Sequence, residues 1–415
     1  LIMNLMRDVA IKHHFRVLFD EKPFAGLNGN GKHNNWSLAT SSGKNLLDPG
    51  EDPGSNLQFL TVFINVIKAV NDYDDLLRAS IASEGNDHRL GANEAPPAII
   101  SIFTGSFLEE VLTKFKANGL SAGRDDNANV IDLRLSKIAT FERDQTDRNR
   151  TSPFPFTGNR FEFRAVGGSA NCAAPMTVLN TIVANQFQAF QAEVDRRSNR
   201  GSSLEDHIVA VLQEYMPDVE RIVFNGDGYS GAWETEAASR GLSNNKNTPV
   251  ALRAMISDEA KAVFEKQQVL NADELESRYE VQLENYVNKV GIEADLLVEM
   301  SSTFVLPAAN EHLNKLGETY RSLSEMGLEE QSLGVVAQAG PIAELTARLT
   351  AGVAQLLEAK ATSDSISDTG QQAEAYADQV KPRFDDVRSS IDKLEGLVDN
   401  KLWPVPKYRE LLFLR

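Results

Sequence analysis

The chain has 415 residues, of which 59 are acidic and 42 basic, for a formal net charge of −17, and 42% are hydrophobic. That length supports two or three domains with sizeable cores, while the acidic balance argues against a nucleic-acid surface, which needs a basic stripe, and against an anionic membrane surface. No apolar run reaches the roughly 20 residues that cross a bilayer, and the single cysteine, Cys172, rules out an internal disulfide framework or a Cys-rich zinc site and fits a reducing cytoplasm.

In chain order, LIMNLMRDVA (1–10) reads as the apolar face of a helix rather than a signal peptide or a natural start. The chain is therefore expected to be the C-terminal part of something longer. FRVLF (15–19) has the β-branched and aromatic content of a strand. FEFR (161–164) alternates with period two, which places Glu162 and Arg164 on one face and Phe161 and Phe163 on the other. A long helix follows, with Pro175 near its start and Val178, Ile182, Phe187 and Phe190 as inward candidates.

Texture changes in the polar stretch GLSNNKNTP (241–249). Residues 251–415 carry 28 acidic and 17 basic side chains (−11), against 31 and 25 (−6) before them, and 16 of the 20 Phe lie in the first part. The first part reads as a mixed α/β body and the second as helices. Residues 273–290, ending at Gly291, form one candidate helix. Ile342, Leu345, Leu349, Val353 and Leu356 recur every three or four residues, as do Val380, Phe384, Val387, Ile391, Leu394 and Val398. The polar turn ATSDSISDTG (361–370) between them predicts an antiparallel helical pair without catalytic groups.

Three segments of the first part carry chemistry. In KPFAGLNGNGKHNNWS (22–37), Asn28, Gly29, Asn30 and Gly31 allow a tight turn that brings backbone N–H groups near a ligand, and His33 and Ser37 offer metal or phosphate contacts. In RLGANEAPPAIIS (89–101), Arg89 and Glu94 sit in a Gly/Pro-constrained loop, where a carboxylate can close over a ligand or take a proton. In RNRTSPFPFTGNRFEFRAVGGSAN (148–171), Arg148, Arg150, Arg160 and Arg164 put four guanidiniums within 17 residues of an acidic protein. A carboxylate beside an arginine can hold a metal ion and an anion side by side, and phosphoryl transfer is the natural candidate.

These segments resemble the glutamine synthetase family. KPFAGLNGNGKHNNWS is similar to its nucleotide-binding signature, ANEAPP to its flap and RNRTSPFPFTGNRFEFR to its arginine-rich strand. The Lys-His-Asn-Asn-Trp-Ser spelling and the long helical end resemble the type III subfamily. The resemblance implies an α+β fold: a catalytic domain with a curved antiparallel sheet over residues 1–240, truncated at its start, then an all-α domain over 241–415. It implies ligation of ammonia to the side-chain carboxylate of L-glutamate, driven by ATP through a γ-glutamyl phosphate, with Mg2+ or Mn2+. By motif position His33 and Glu162 are the metal ligands. Asn28 and Gly29 hold the glutamate α-amino end, Arg164 its α-carboxylate, and Arg89 the carboxylate being activated. Arg150 steadies the transferring phosphoryl group, and Asn35, Ser37 and Arg160 contact ATP. Glu94 shields the intermediate and deprotonates ammonium. The family forms homo-oligomers, a dodecamer of two hexameric rings.

Departures are Pro155 and Thr157, where bacterial type I enzymes carry a nucleotide-binding Arg and a Lys, and Asn30, where Ser is commoner. The family's remaining metal ligands and its β-grasp domain would precede Leu1, so the chain alone is expected to be inactive. Alternatives are a carboxylate–amine ligase for another amine and a non-catalytic nucleotide-binding homologue.

Overall fold

The computed structural model describes all of the chain except residues 18, 20–21, 23–26, 28, 92–94, 121–129, 132–140, 143–148, 198–202, 408–409 and 411–415. In order, the elements are α1 (Ile2–Lys12), β1 (Gly31–Trp36), α2 (Leu57–Asp72), α3 (Asp74–Ala79), α4 (Glu84–Arg89), β2 (Ile102–Phe103), α5 (Gly105–Asn118), β3 (Val130–Ile131) and β4 (Phe141–Glu142). There follow β5 (Phe154–Pro155), β6 (Phe161–Gly167), α6 (Ala173–Arg197), α7 (Leu204–Glu214), α8 (Met216–Ile222), α9 (Gly231–Ser239), α10 (Thr248–Leu252) and α11 (Asp258–Lys266). The rest is α12 (Ala272–Met300), α13 (Leu306–Glu325), α14 (Glu329–Asp364), α15 (Thr369–Ala375) and α16 (Lys381–Leu397).

The chain divides into two compact units, residues 20–279 and residues 1–19 with 280–415. The first is α+β and the second helical. Strand pairing among the described residues is limited to three two-stranded ladders: β1 with β6, β2 with β5 and β3 with β4.

The core of the 20–279 unit is built on α2. Its sequence LQFLTVFINVIKAVND is apolar nearly all round, and every residue from Phe59 to Asn71 except Thr61 and Lys68 is buried. Asn56 caps it by accepting from the Phe59 N–H. The buried amides of this helix are satisfied: Asn65 accepts from Gln186 of α6, and Asn71 from Arg221, each at 2.9 Å. The inward face of β6 packs on α2 through rings. Phe63 and Phe161 stack with centroids 5.6 Å apart, Phe154 and Phe161 at 4.8 Å. Buried aromatics of this size anchor the sheet on the helix. In α6, Val178, Ile182 and Phe190 are buried as expected, and Phe187 packs partly buried against the same core.

Three expectations change. FRVLF forms no strand among its described residues: Phe15 makes a single β-bridge that does not extend, and Phe15 and Phe19 are 47% and 37% exposed, so neither ring is packed away as a pleated face requires. The polar stretch 241–249 does not divide the compact units. Its polar groups point inward: Arg78 donates to the Asn245 carbonyl at 2.9 Å, and Asp75 accepts from Asn245 and Ser243. Leu242, Val263, Phe264 and Leu275 join the same core. Finally, α12 runs past Gly291 to Met300. Gly291 does not end the helix, and a Cβ there would make ordinary contact with the Tyr376 hydroxyl at 3.5 Å.

In the other unit, α14 and α16 pack as the helical pair, with Ile342, Leu349, Val353 and Leu356 facing Val387 and Leu394 in a shared buried layer. Two π-helical turns interrupt the α geometry there, Ser301–Val305 between α12 and α13 and Tyr376–Val380 between α15 and α16. Among the described residues no helix is long and apolar enough to cross a membrane.

Candidate active site

β1 and β6 pair antiparallel, with Trp36 opposite Phe161, Asn35 opposite Glu162 and Asn34 opposite Phe163. The core-facing members of these pairs are Trp36, Phe161 and Phe163, all buried. Residues opposite each other share a face, so Asn35 and Glu162 look the other way, with His33 two residues along. Beyond Phe163 the register slips. Lys32 pairs with Val166, so His33 alone lies across from Arg164 and Ala165. This β-bulge puts one extra residue into β6 and twists the strand locally.

The result is a compact polar triad. His33 Nδ1 lies 2.6 Å from one Glu162 oxygen, and Arg164 Nη2 donates to the other at 3.1 Å. Arg164 is buried and Glu162 only 14% exposed, whereas His33 is 39% exposed. Burial by itself would raise the Glu162 pKa. Arg164, and after it His33, outweigh that and hold the carboxyl below its ordinary value. Arg164 also donates from Nη1 to the Asn149 carbonyl, and its Nε is buried without a hydrogen-bond partner.

Arg150 follows Asn149 directly and is exposed. The turn carrying it is fastened to the loop after α8. Asn149 Nδ2 donates to the Gly226 carbonyl and Gly228 N to Thr151 Oγ1, both at 2.8 Å. Gly228 is tightly placed: a Cβ there would sit 3.0 Å from the Thr151 carbonyl oxygen, closer than most Cβ contacts. Arg160, just before β6, and Asn35 are exposed, and Gly29 is half-buried. The Ser37 hydroxyl is exposed but engaged, donating to Asn45 Oδ1 at 2.7 Å and near the Asn159 carbonyl at 3.2 Å.

Arg89 departs from a substrate-facing picture. It ends α4 and is fully buried. Nη1 donates to Asn86 Oδ1 at 2.9 Å, Nη2 to the Arg164 carbonyl at 3.1 Å, and Nη1 also reaches the Ala165 carbonyl at 3.3 Å. A Cβ at Gly31 would lie 2.1 Å from Arg89 Nη2, so β1 passes directly over this guanidinium. Asn28, Glu94 and Arg148 lie outside the described residues. Sequence reasoning passed over Asn86, Asn149 and the Asn225–Gly228 turn. The Asn-Gly-Asp-Gly spelling of that turn was a legible signal.

The pair His33 and Glu162 suits a hard divalent cation. An imidazole and an ionised carboxylate face one another on the open side of the ladder, and both donor types accept Mg2+ or Mn2+. They are two donors of the roughly six such an ion takes. Among the described residues no group of three or more His, Cys, Asp or Glu is arranged so that it could hold a metal ion.

Two family models match the chain: glutamine synthetase, catalytic domain, over residues 1–83, and glutamine synthetase C-terminal domain, over residues 207–324. Three curated relatives align with all of it. It is 44% identical over 420 residues to a glutamine synthetase of Bacteroides fragilis (strain YCH46) and 42% over 428 residues to a type-3 glutamine synthetase of Dictyostelium discoideum. A glutamine synthetase of Butyrivibrio fibrisolvens is 38% identical over 423 residues. The chain spans 57–58% of the length of these relatives. With ordered motifs, two domain models and this identity along its whole length, the chain carries glutamine synthetase catalytic-domain and C-terminal-domain sequence and is similar throughout to proteins of that name.

Proposed function

We propose that the chain supplies the phosphate-, metal- and glutamate-handling groups of a ligase that joins ammonia to the side-chain carboxylate of L-glutamate, giving glutamine, ADP and phosphate. The observation that carries this reading is Glu162 held between His33 at 2.6 Å and Arg164 at 3.1 Å. A divalent ion bound by His33 and Glu162 supplies positive charge against the ATP phosphates. Arg164, beside the ion ligand, binds the glutamate α-carboxylate, while Asn28 and Gly29 receive the α-amino end. The side-chain carboxylate takes the γ-phosphoryl of ATP, and Arg150 meets charge that develops on that group. Asn35, Ser37 and Arg160 contact the nucleotide. Glu94 takes a proton from bound ammonium, and the ammonia so formed attacks the acyl phosphate and phosphate leaves. For Arg89 to meet the activated carboxylate, its guanidinium has to leave the Arg164 and Ala165 carbonyls. The family domains proposed, catalytic over 1–240 and helical over 241–415, meet at an earlier point than the compact units, which divide after residue 279, and the assembly proposed is a cytoplasmic homo-oligomer of the family's dodecameric type.

The test joins the chain to the portion of the Bacteroides fragilis relative that it does not span. In that protein Arg150→Ala lowers kcat far more than it raises KM for glutamate, Arg164→Ala mainly raises KM, and Glu162→Gln removes activity. The 415-residue chain alone gives no γ-glutamyl transfer with Mn2+. Equal effects of the two arginine variants on both constants would refute the division of roles.

A further inference from the structure

Asn86 lies behind the β1–β6 ladder, 1% exposed, in the middle of α4. Nδ2 donates to the Ile81 carbonyl at 2.7 Å and to the Ala165 carbonyl at 2.9 Å, and Oδ1 accepts from Arg89 Nη1 at 2.9 Å. Arg89 in turn donates to the Arg164 carbonyl. Arg164 and Ala165 are the two residues of the bulge opposite His33. A bulge leaves main-chain groups out of the ladder, and buried carbonyls need donors; Asn86 and Arg89 supply them. The support is itself fixed. Asp87, next along α4, accepts from Arg78 Nη2 at 3.1 Å, the Thr248 N–H at 2.6 Å and Thr248 Oγ1 at 2.9 Å.

We infer that Asn86 is a positioning residue for the His33–Glu162 pair, acting through the bulge carbonyls that set the register between β1 and β6. The inference rests on the metal reading above for its consequence and on the hydrogen bonds for its mechanism. A shift of the bulge by one hydrogen bond rotates Arg164 and slides Glu162 along His33, so the imidazole and carboxylate no longer face a common point. Groups one layer behind metal ligands typically change affinity by ten- to a hundredfold when removed.

The test uses the 415-residue chain with Mn2+ alone, reading free Mn2+ by electron paramagnetic resonance. Asn86→Asp keeps the acceptor for Arg89 but turns both donors into acceptors. Gly31→Ala strikes the same clamp from the β1 side, by crowding Arg89 Nη2, and covers the case in which the buried variant fails to fold. Each weakens Mn2+ about tenfold in folded protein, and neither weakens it further when His33→Ala is already present. The second readout needs no metal: the nitrogen and ring-proton NMR signals of His33 move in both variants toward their positions in Glu162→Gln. Unchanged Mn2+ affinity with unmoved His33 signals, or a loss that adds to His33→Ala, overturns the inference. If wild type and His33→Ala bind Mn2+ equally, the metal reading fails by itself, and the His33 signals alone decide whether Asn86 positions the pair.

Discussion

Glu162 meets an imidazole on one oxygen and a guanidinium on the other, whereas Asp74 has lost most of its solvent in exchange for the main-chain N–H groups of residues 74 and 75 and for Arg221 at 4.0 Å. The Asp74 pKa is pushed up to about 6, first by burial and then by neighbouring Asp75, against the pull of Arg221. Its folded pKa therefore lies above the ordinary 3.8. The proton is held more tightly in the folded state, so stability from this group is fully present below about pH 4 and lost as pH rises through 6. Asp74→Asn should then stabilise the protein at pH 8 by about 1–2 kcal/mol. That is less than the ~3 kcal/mol of a two-unit shift, because Arg221 loses a partner. At pH 4 the variant and wild type should coincide. Urea denaturation at the two pH values checks this, and a variant that is less stable at pH 8 contradicts it.

At the scale of elements, the pairing of α14 with α16 depends on glycine at one position and wastes it at another. A Cβ on Gly352 would lie 3.3 Å from Val387 Cγ2, so the helices approach closely there. Gly352→Leu overfills that contact and should cost about 1–3 kcal/mol. Gly334, in the same helix, is exposed, and a Cβ added there would meet nothing within 4 Å. Gly334→Ala should stabilise by about 0.5–1 kcal/mol through helix propensity alone. Chemical denaturation of the two variants should give opposite signs. The helical pair was readable because its apolar period reports one buried face. The FEFR strand was readable for the same reason at period two. The bulge was not. It arises from how 163–166 pairs with 32–34, and pairing register is not a property of either segment alone. Nor was the burial of Arg89 and Asn86, since their partners are main-chain carbonyls, which carry no residue identity.

Across the whole molecule, the sequence separates a Phe-rich α+β part from an acidic helical part, and the two compact units keep that distinction. Where the break falls was misleading. Composition treats Ser243, Asn245 and Asn247 as linker because they are polar, yet these groups satisfy Asp75, Arg78 and the start of α10. Polar residues that answer buried charges look the same, in composition, as polar residues that answer water. The candidate site was legible as a residue list because its motifs are ordered and family-specific. What geometry adds is the grouping: His33, Glu162 and Arg164 form one contiguous set, and Arg150 hangs from the Asn149–Gly226 fastening at its margin.

The two π turns have a consequence for how this chain tolerates length change. A π turn holds one residue more than the α turn it replaces, while the helix on either side continues in phase. It is therefore the one place in a helix where a residue can be removed without rotating everything downstream. Elsewhere the same deletion turns the following helix by about 100° and withdraws it by ~1.5 Å, carrying buried side chains to the surface. In Ser301–Val305 the end residues are buried and Ser302, Thr303 and Phe304 are exposed. Deleting Ser302 should yield a folded protein with near-native circular dichroism and cooperative unfolding. Deleting Thr350, inside α14, should not. If both deletions are equally damaging, or equally harmless, the extra residue at 301–305 is not a spare turn position but part of what the neighbouring helices recognise.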